Sequence, residues 1–131
     1  MDKHEFSFIR RQLIKTQSQM SELLGTSLKA IQSFEQGWRN IPVHIERQML
    51  FLFAMKRNQE WKQKPCWIIK KCPTKIRKTC PACEFHSGHL CWFINGTICN
   101  GQAQESWREK MASCRNCTVF RSIFPTLYDL T

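Results

Sequence analysis

At 131 residues, with eight cysteines and a formal charge of +10, the chain is sized for one domain or two small ones. No stretch approaches the roughly 18 apolar residues of a membrane span, and the opening MDKHEFSFIRRQ lacks the apolar segment of a secretory signal, so a cytoplasmic protein without membrane attachment is expected. The basic excess favours a polyanionic partner, nucleic acid first among them, although a basic solvated surface carries the same charge. In chain order, the first clear elements lie in TQSQMSELLGTSLKAIQSFEQGWRNIP, Thr16 to Pro42. Ser18 is the expected cap of a helix whose apolar face is Met20, Leu23 and Leu24, and Gly25 supplies the positive φ of a tight turn. Thr26 or Ser27 caps a second helix that runs to about Gln36, with Gly37 as its left-handed terminator.

In that second helix Ala30, Ile31 and Phe34 share one face, while Ser27, Leu28, Lys29, Gln32, Ser33 and Gln36 share the other. Small, amide and cationic side chains suit the base-pair edges of a major groove. Periodicity alone favours the plainer reading, an amphipathic helix with a solvated polar face.

The spaced set Ile9, Arg10, Thr16, Gln17, Leu23, Gly25, Ser27, Ile31, Glu35, Gly37 and Pro42 resembles the helix-turn-helix of the Xre family, which includes the lambda-type phage repressors. The likeness spans roughly Phe6 to Leu52 and implies a mainly α, five-helix bundle with Ser27 to Gln36 as recognition helix. By position, Lys29 and Gln32 would meet base edges, lysine suiting guanine and glutamine adenine. Ser27, Leu28 and Ser33 are further candidates, and Leu28 suits a thymine methyl. Gln17, at the amino end of the preceding helix, would hold a phosphate, and Trp38, Arg39 and Asn40 the sugar-phosphate backbone. The resemblance also implies an ion pair between Arg10 and Glu35, a double-stranded DNA operator and a homodimer.

A long helix is expected from Ile41, with Pro42 in its first turn and Ile45, Met49, Leu52, Phe53 and Met55 at helical spacing. The run MLFLFAM, Met49 to Met55, holds more apolar residues than one face needs, so a second subunit or the rest of the chain should cover part of it. The polar NQEWKQK before Pro65 sets the expected boundary: a DNA-binding domain over 1–64 and a cysteine-rich domain over 65–131. Charge divides evenly across it, 11 basic against 6 acidic residues before and 9 against 4 after.

All eight cysteines lie from Cys66 onward. In a reducing compartment such density reads as metal ligation before disulfides, and a small irregular domain of this kind needs a metal staple. Two C-x-x-C spacings, Cys80/Cys83 and Cys114/Cys117, match zinc knuckles, and Cys66, Cys72, Cys91 and Cys99 would form a second set. An iron–sulfur cluster also takes thiolates, often with proline and aromatic neighbours such as Pro73, Pro81, Trp67 and Trp92. His86 and His89 are weaker ligand candidates. Lys70, Lys71, Lys75, Arg77 and Lys78 would offset thiolate charge, rest on DNA phosphates, or face solvent. The apolar tail from Thr118 onward should dock on the core or on a second subunit.

The dipeptides Cys66-Trp67 and Cys91-Trp92, with Cys72, Cys80-Pro81-Ala82, Gly96-Thr97, Cys99, Gly101, Lys110, Cys114 and Cys117, resemble the bacterial two-CW domain, a module attached to sensory and regulatory proteins. Cys83 departs from that pattern and is an added ligand or a free thiol. A transcription regulator sensing redox or ligand state through iron–sulfur or zinc is therefore expected. A DNA-binding protein with purely structural zinc is its rival. A thiol–disulfide oxidoreductase is disfavoured, since no βαβ pattern surrounds either C-x-x-C pair; the chain is not expected to be an enzyme.

Overall fold

In the computed structural model residues 1–56, 65–86, 88, 90–94, 97–99, 102–103 and 105–124 are described, the side chains of Cys99 and Gln102 excepted. The chain is mainly helical and divides into two units, Met1–Gln59 and Glu60–Thr131. The boundary expected after Lys64 falls at the edge of 57–64, which lies outside the described residues.

Each helix of the first unit starts or stops on a local signal. Helix α1, Lys3–Gln12, begins where the Asp2 carboxylate accepts the Glu5 N–H at 2.8 Å. Helix α2, Gln17–Leu24, opens with a reciprocal capping box: Gln19 N–H donates to the Thr16 hydroxyl, and Thr16 N–H donates to the Gln19 side chain. Thr16, not Ser18, is therefore the cap. Ser18 lies inside the helix, because only Thr16 has an amide side chain three residues ahead to return the hydrogen bond.

Helix α3, Leu28–Gln36, is capped by the Ser27 hydroxyl on Ala30 N–H. Both α2 and α3 end in a left-handed glycine, Gly25 at φ 64° and Gly37 at φ 81°. In each case the next residue's N–H returns to the helix, Thr26 to Ser21 and Trp38 to Ser33, so the last carbonyls are not orphaned. Helix α4, Val43–Lys56, follows Pro42, whose carbonyl accepts from Ile45 and Glu46.

The described part of this unit thus has four helices where five were expected. No glycine or proline interrupts Val43–Lys56, and the segment stays one 14-residue helix. Phe6, Ile9, Met20, Ile31, Phe34, Ile45, Met49, Leu50 and Phe53 fill the core, with Phe6 edge-on to Phe34 at 5.7 Å. Two expected core positions are exposed instead, Leu23 and Met55, and Leu52 is half-buried.

The second unit is built from short pieces. Three one-turn helices, α5 (Cys66–Ile69), α6 (Thr74–Arg77) and α7 (Pro81–Glu84), each follow or begin with proline, which fixes φ for a first turn. A 3-10 turn, Cys91–Phe93, and a two-residue antiparallel ribbon, β1 (Ile98–Cys99) with β2 (Gln102–Ala103), come next. Helices α8 (Trp107–Cys114) and α9 (Thr118–Ile123) close the unit.

Its core is aromatic: Trp92, wholly buried, meets Phe93, Trp107, Phe120 and Phe124 at centroid distances of 5.5–6.5 Å. Val119, Phe120, Ile123 and Phe124 are buried, so the first part of the apolar tail docks within its own unit; 125–131 lie outside the described residues. Gly88 closes the loop that starts α5. Its carbonyl accepts the Cys66 N–H at 3.1 Å, and a Cβ there would stand 2.5 Å from Pro65 Cβ. Among the described residues no helix is long and apolar enough to cross a membrane.

Candidate nucleic-acid interface and metal centre

The caps and glycines just described orient α3 with Ala30, Ile31 and Phe34 inward and Ser27, Leu28, Lys29, Gln32 and Gln36 exposed. Leu28 is 42% exposed and Trp38, beyond the helix, 80%; Arg39 and Asn40 are exposed beside it. Two candidates have prior commitments. Ser27 caps its own helix, and the half-buried Ser33 donates its hydroxyl to the Lys29 carbonyl at 2.9 Å. Lys29 and Gln32 keep their polar ends in solvent.

Gln17 is half-buried and its amide donates to Glu35 Oε2 at 2.7 Å, so its side chain points toward the bundle and its contribution to a phosphate would come from the first backbone N–H groups of α2. Glu35 also receives two guanidinium N–H groups of Arg10, and Arg10 Nη1 donates to the Lys15 carbonyl at 2.9 Å. The two charged side chains are only 18% and 10% exposed. One carboxylate near the end of α3 thereby ties down α1 and the start of α2. This fork-on-carboxylate geometry is the strong form of a charged hydrogen bond.

In the second unit five cysteines, Cys66, Cys72, Cys80, Cys83 and Cys91, line one cavity of about 340 Å³ together with Lys70, Arg77 and Thr97. A second cavity of about 340 Å³ is lined by Cys91, Cys114 and Cys117 with Lys70, Trp92 and Phe120. The two C-x-x-C spacings therefore border different cavities, and Cys91 borders both. Cys83 sits with the others on the first. The side chain of Cys99 and all of His89 lie outside the described residues, and His86 is exposed. Among the described residues no three His, Cys, Asp or Glu side chains close on one point as a single ion requires.

Of the basic run, Lys70 and Arg77 border the thiols, and Arg77 Nε donates to the Cys72 carbonyl at 3.1 Å. Lys71, Lys75 and Lys78 are exposed. Cys80 Sγ accepts the Ile98 N–H at 3.3 Å. Cys66 is held below the ordinary thiol value. The largest cause is the hydrogen bond from Cys91, which acts against burial and is helped by the Trp67 and Cys66 N–H groups and by the charge of Lys110.

Sequence reasoning gave Lys110 no role. It is 2% exposed, and its ammonium donates to the hydroxyl of Thr97, itself 1% exposed; that hydroxyl reaches the Cys91 carbonyl at 3.5 Å. A signal was present, because Lys110 stands on the stripe Trp107, Lys110, Met111, Cys114 that α8 buries. A lysine on an apolar stripe needs an explanation. No family model, curated protein or solved structure matches the chain.

Proposed function

We propose that the chain is a sequence-specific DNA-binding transcriptional regulator of the Xre type, whose cysteine-rich unit holds an iron–sulfur cluster and reports redox or ligand state. One observation carries the DNA reading: α3 follows α2 across a three-residue turn, Gly25 to Ser27, and keeps Lys29 and Gln32 in solvent while its apolar face is buried. Side chains so presented suit guanine and adenine edges. Homodimerisation on a two-fold operator belongs to the same reading, and the exposed Met55 and Val43 of α4 offer apolar surface for it.

The donor set favours a cluster over zinc. Four thiolates about 2.3 Å from one zinc crowd together and leave no room between them. Five thiols instead share the wall of a cavity of about 340 Å³ with eight other residues, which leaves room for a group larger than one ion. Cys66, Cys72, Cys80 and Cys91 would hold the group, with Cys83 as a spare thiol, and when bound the group supplies one-electron redox chemistry. Trp67, on the same wall, would keep water from it. Gain or loss of the group would alter how two copies associate, and so the spacing of their recognition helices. Protein purified without oxygen is expected to be brown and to contain iron and sulfide; colourless protein with zinc would return the site to a structural role.

For DNA, an operator selected from random duplexes should bind with a steep salt dependence. Lys29→Ala and Gln32→Ala should each lower discrimination at one base pair by about 1–3 kcal/mol. Arg39→Ala should weaken all duplexes alike. Fluorescence anisotropy across single-base variants reads the difference; equal losses on every duplex would remove Lys29 and Gln32 from the base edges.

A further inference from the structure

Lys110 raises an electrostatic problem that the described carboxylates of the second unit do not solve. A buried ammonium without an anion is costly, and proteins normally pair or neutralise such a group. Glu84, Glu105 and Glu109, the described carboxylates of this unit, are all exposed, and among the described residues none pairs with Lys110. Its hydrogen bond goes to Thr97, a wall of the five-cysteine cavity, and the Thr97 hydroxyl reaches on to the Cys91 carbonyl. Among the described residues, the groups on that wall able to become anionic are thiols.

We propose that Lys110 is the built-in countercharge of the cysteine site: its buried ammonium, held by Thr97, balances the negative charge that the thiolates carry once they hold metal. The inference rests on the metal reading above and adds a positioning residue to it. Four thiolates on a dication or on a 2+ cluster leave a net charge of about −2, and a fixed cation nearby stabilises that state. Outer partners of metal ligands are typically worth about 10–100-fold in metal affinity. A more negative cluster is also harder to reduce, so loss of the cation lowers the reduction potential.

Lys110→Met separates this from a packing role, because methionine nearly matches the lysine stem in shape and removes only the charge. Metal content of the anaerobically purified wild type is measured first, then the rate of metal release to excess chelator, then the thermal midpoint with and without metal. The expected result is release about 10–100-fold faster in Lys110→Met, with partial rescue in Lys110→Arg and a smaller increase in Thr97→Val. The metal-free midpoint of Lys110→Met should equal or exceed that of the wild type, since an unpaired buried charge has been removed.

For an iron-loaded protein the variant's midpoint potential should move negative. If Lys110→Met retains metal like the wild type, or loses stability equally with and without metal, Lys110 is structural and the inference is overturned while the metal site stands. A wild type without any bound metal overturns the site itself and the inference with it. Should Lys110→Met not fold, release from Thr97→Val at the wild-type rate overturns the inference on its own.

Discussion

Trp92→Ala should cost the second unit about 3–5 kcal/mol, enough to leave it largely unfolded. Trp92 has no exposed surface, and four aromatic rings meet it at 5.5–6.5 Å, so truncation opens a hole walled by large rings that cannot collapse into it. A unit of this size has roughly 0.05–0.15 kcal/mol of stability per residue, so the loss rivals the whole. The same residue directly follows Cys91, one of the four proposed ligands, so metal retention should fall with it. Urea denaturation of the full chain, followed by far-ultraviolet circular dichroism, should show the first unit's transition intact and the second's missing. Trp92→Phe should fall between. A loss below about 1 kcal/mol would mean that the aromatic cluster is not the core of this unit.

The second large effect lies in the first unit. Glu35→Ala should destabilise it by about 3 kcal/mol, because Arg10, 18% exposed, and the Gln17 amide lose their shared acceptor. An exposed pair would yield only about 0–1 kcal/mol, so the size of the loss distinguishes a structural tie from a surface contact. Replacing both partners, Arg10→Met with Glu35→Leu, should recover most of the stability, since no charge is left uncompensated. Thermal denaturation of the four proteins of that cycle measures the coupling; additive losses would show that the tie contributes nothing.

What could be read from the chain follows from how local each determinant is. Gly25, Ser27 and Gly37 act within four residues of themselves, so α3 and its exposed face were legible. The Thr16 cap was equally local, since Gln19 lies three residues on, but Ser18 offered a competing hydroxyl. Glu35 and Arg10 are 25 residues apart and were placed only by resemblance; their meeting depends on how α1 and α3 pack.

The cysteines were the least legible. Two C-x-x-C spacings suggested one shared set, yet each spacing constrains only its own turn, α7 for one and the α8–α9 junction for the other. Which cavity each turn faces depends on tertiary packing that no spacing encodes: Cys80 and Cys83 line one, Cys114 and Cys117 the other. Lys110 entered only as one of the residues of the two-CW resemblance and was given no role, because a lysine is ordinarily taken as exposed; its helical phase with Trp107, Met111 and Cys114 marks it otherwise.

The loop at Gly88 limits how this sequence can drift. With less than a methyl group of clearance to Pro65, and with Cys66 hung from the Gly88 carbonyl, the two positions cannot vary independently. Any descendant that acquires a side chain at 88 must reroute the backbone at 65, and the first sulfur of the five-cysteine cavity would travel with it.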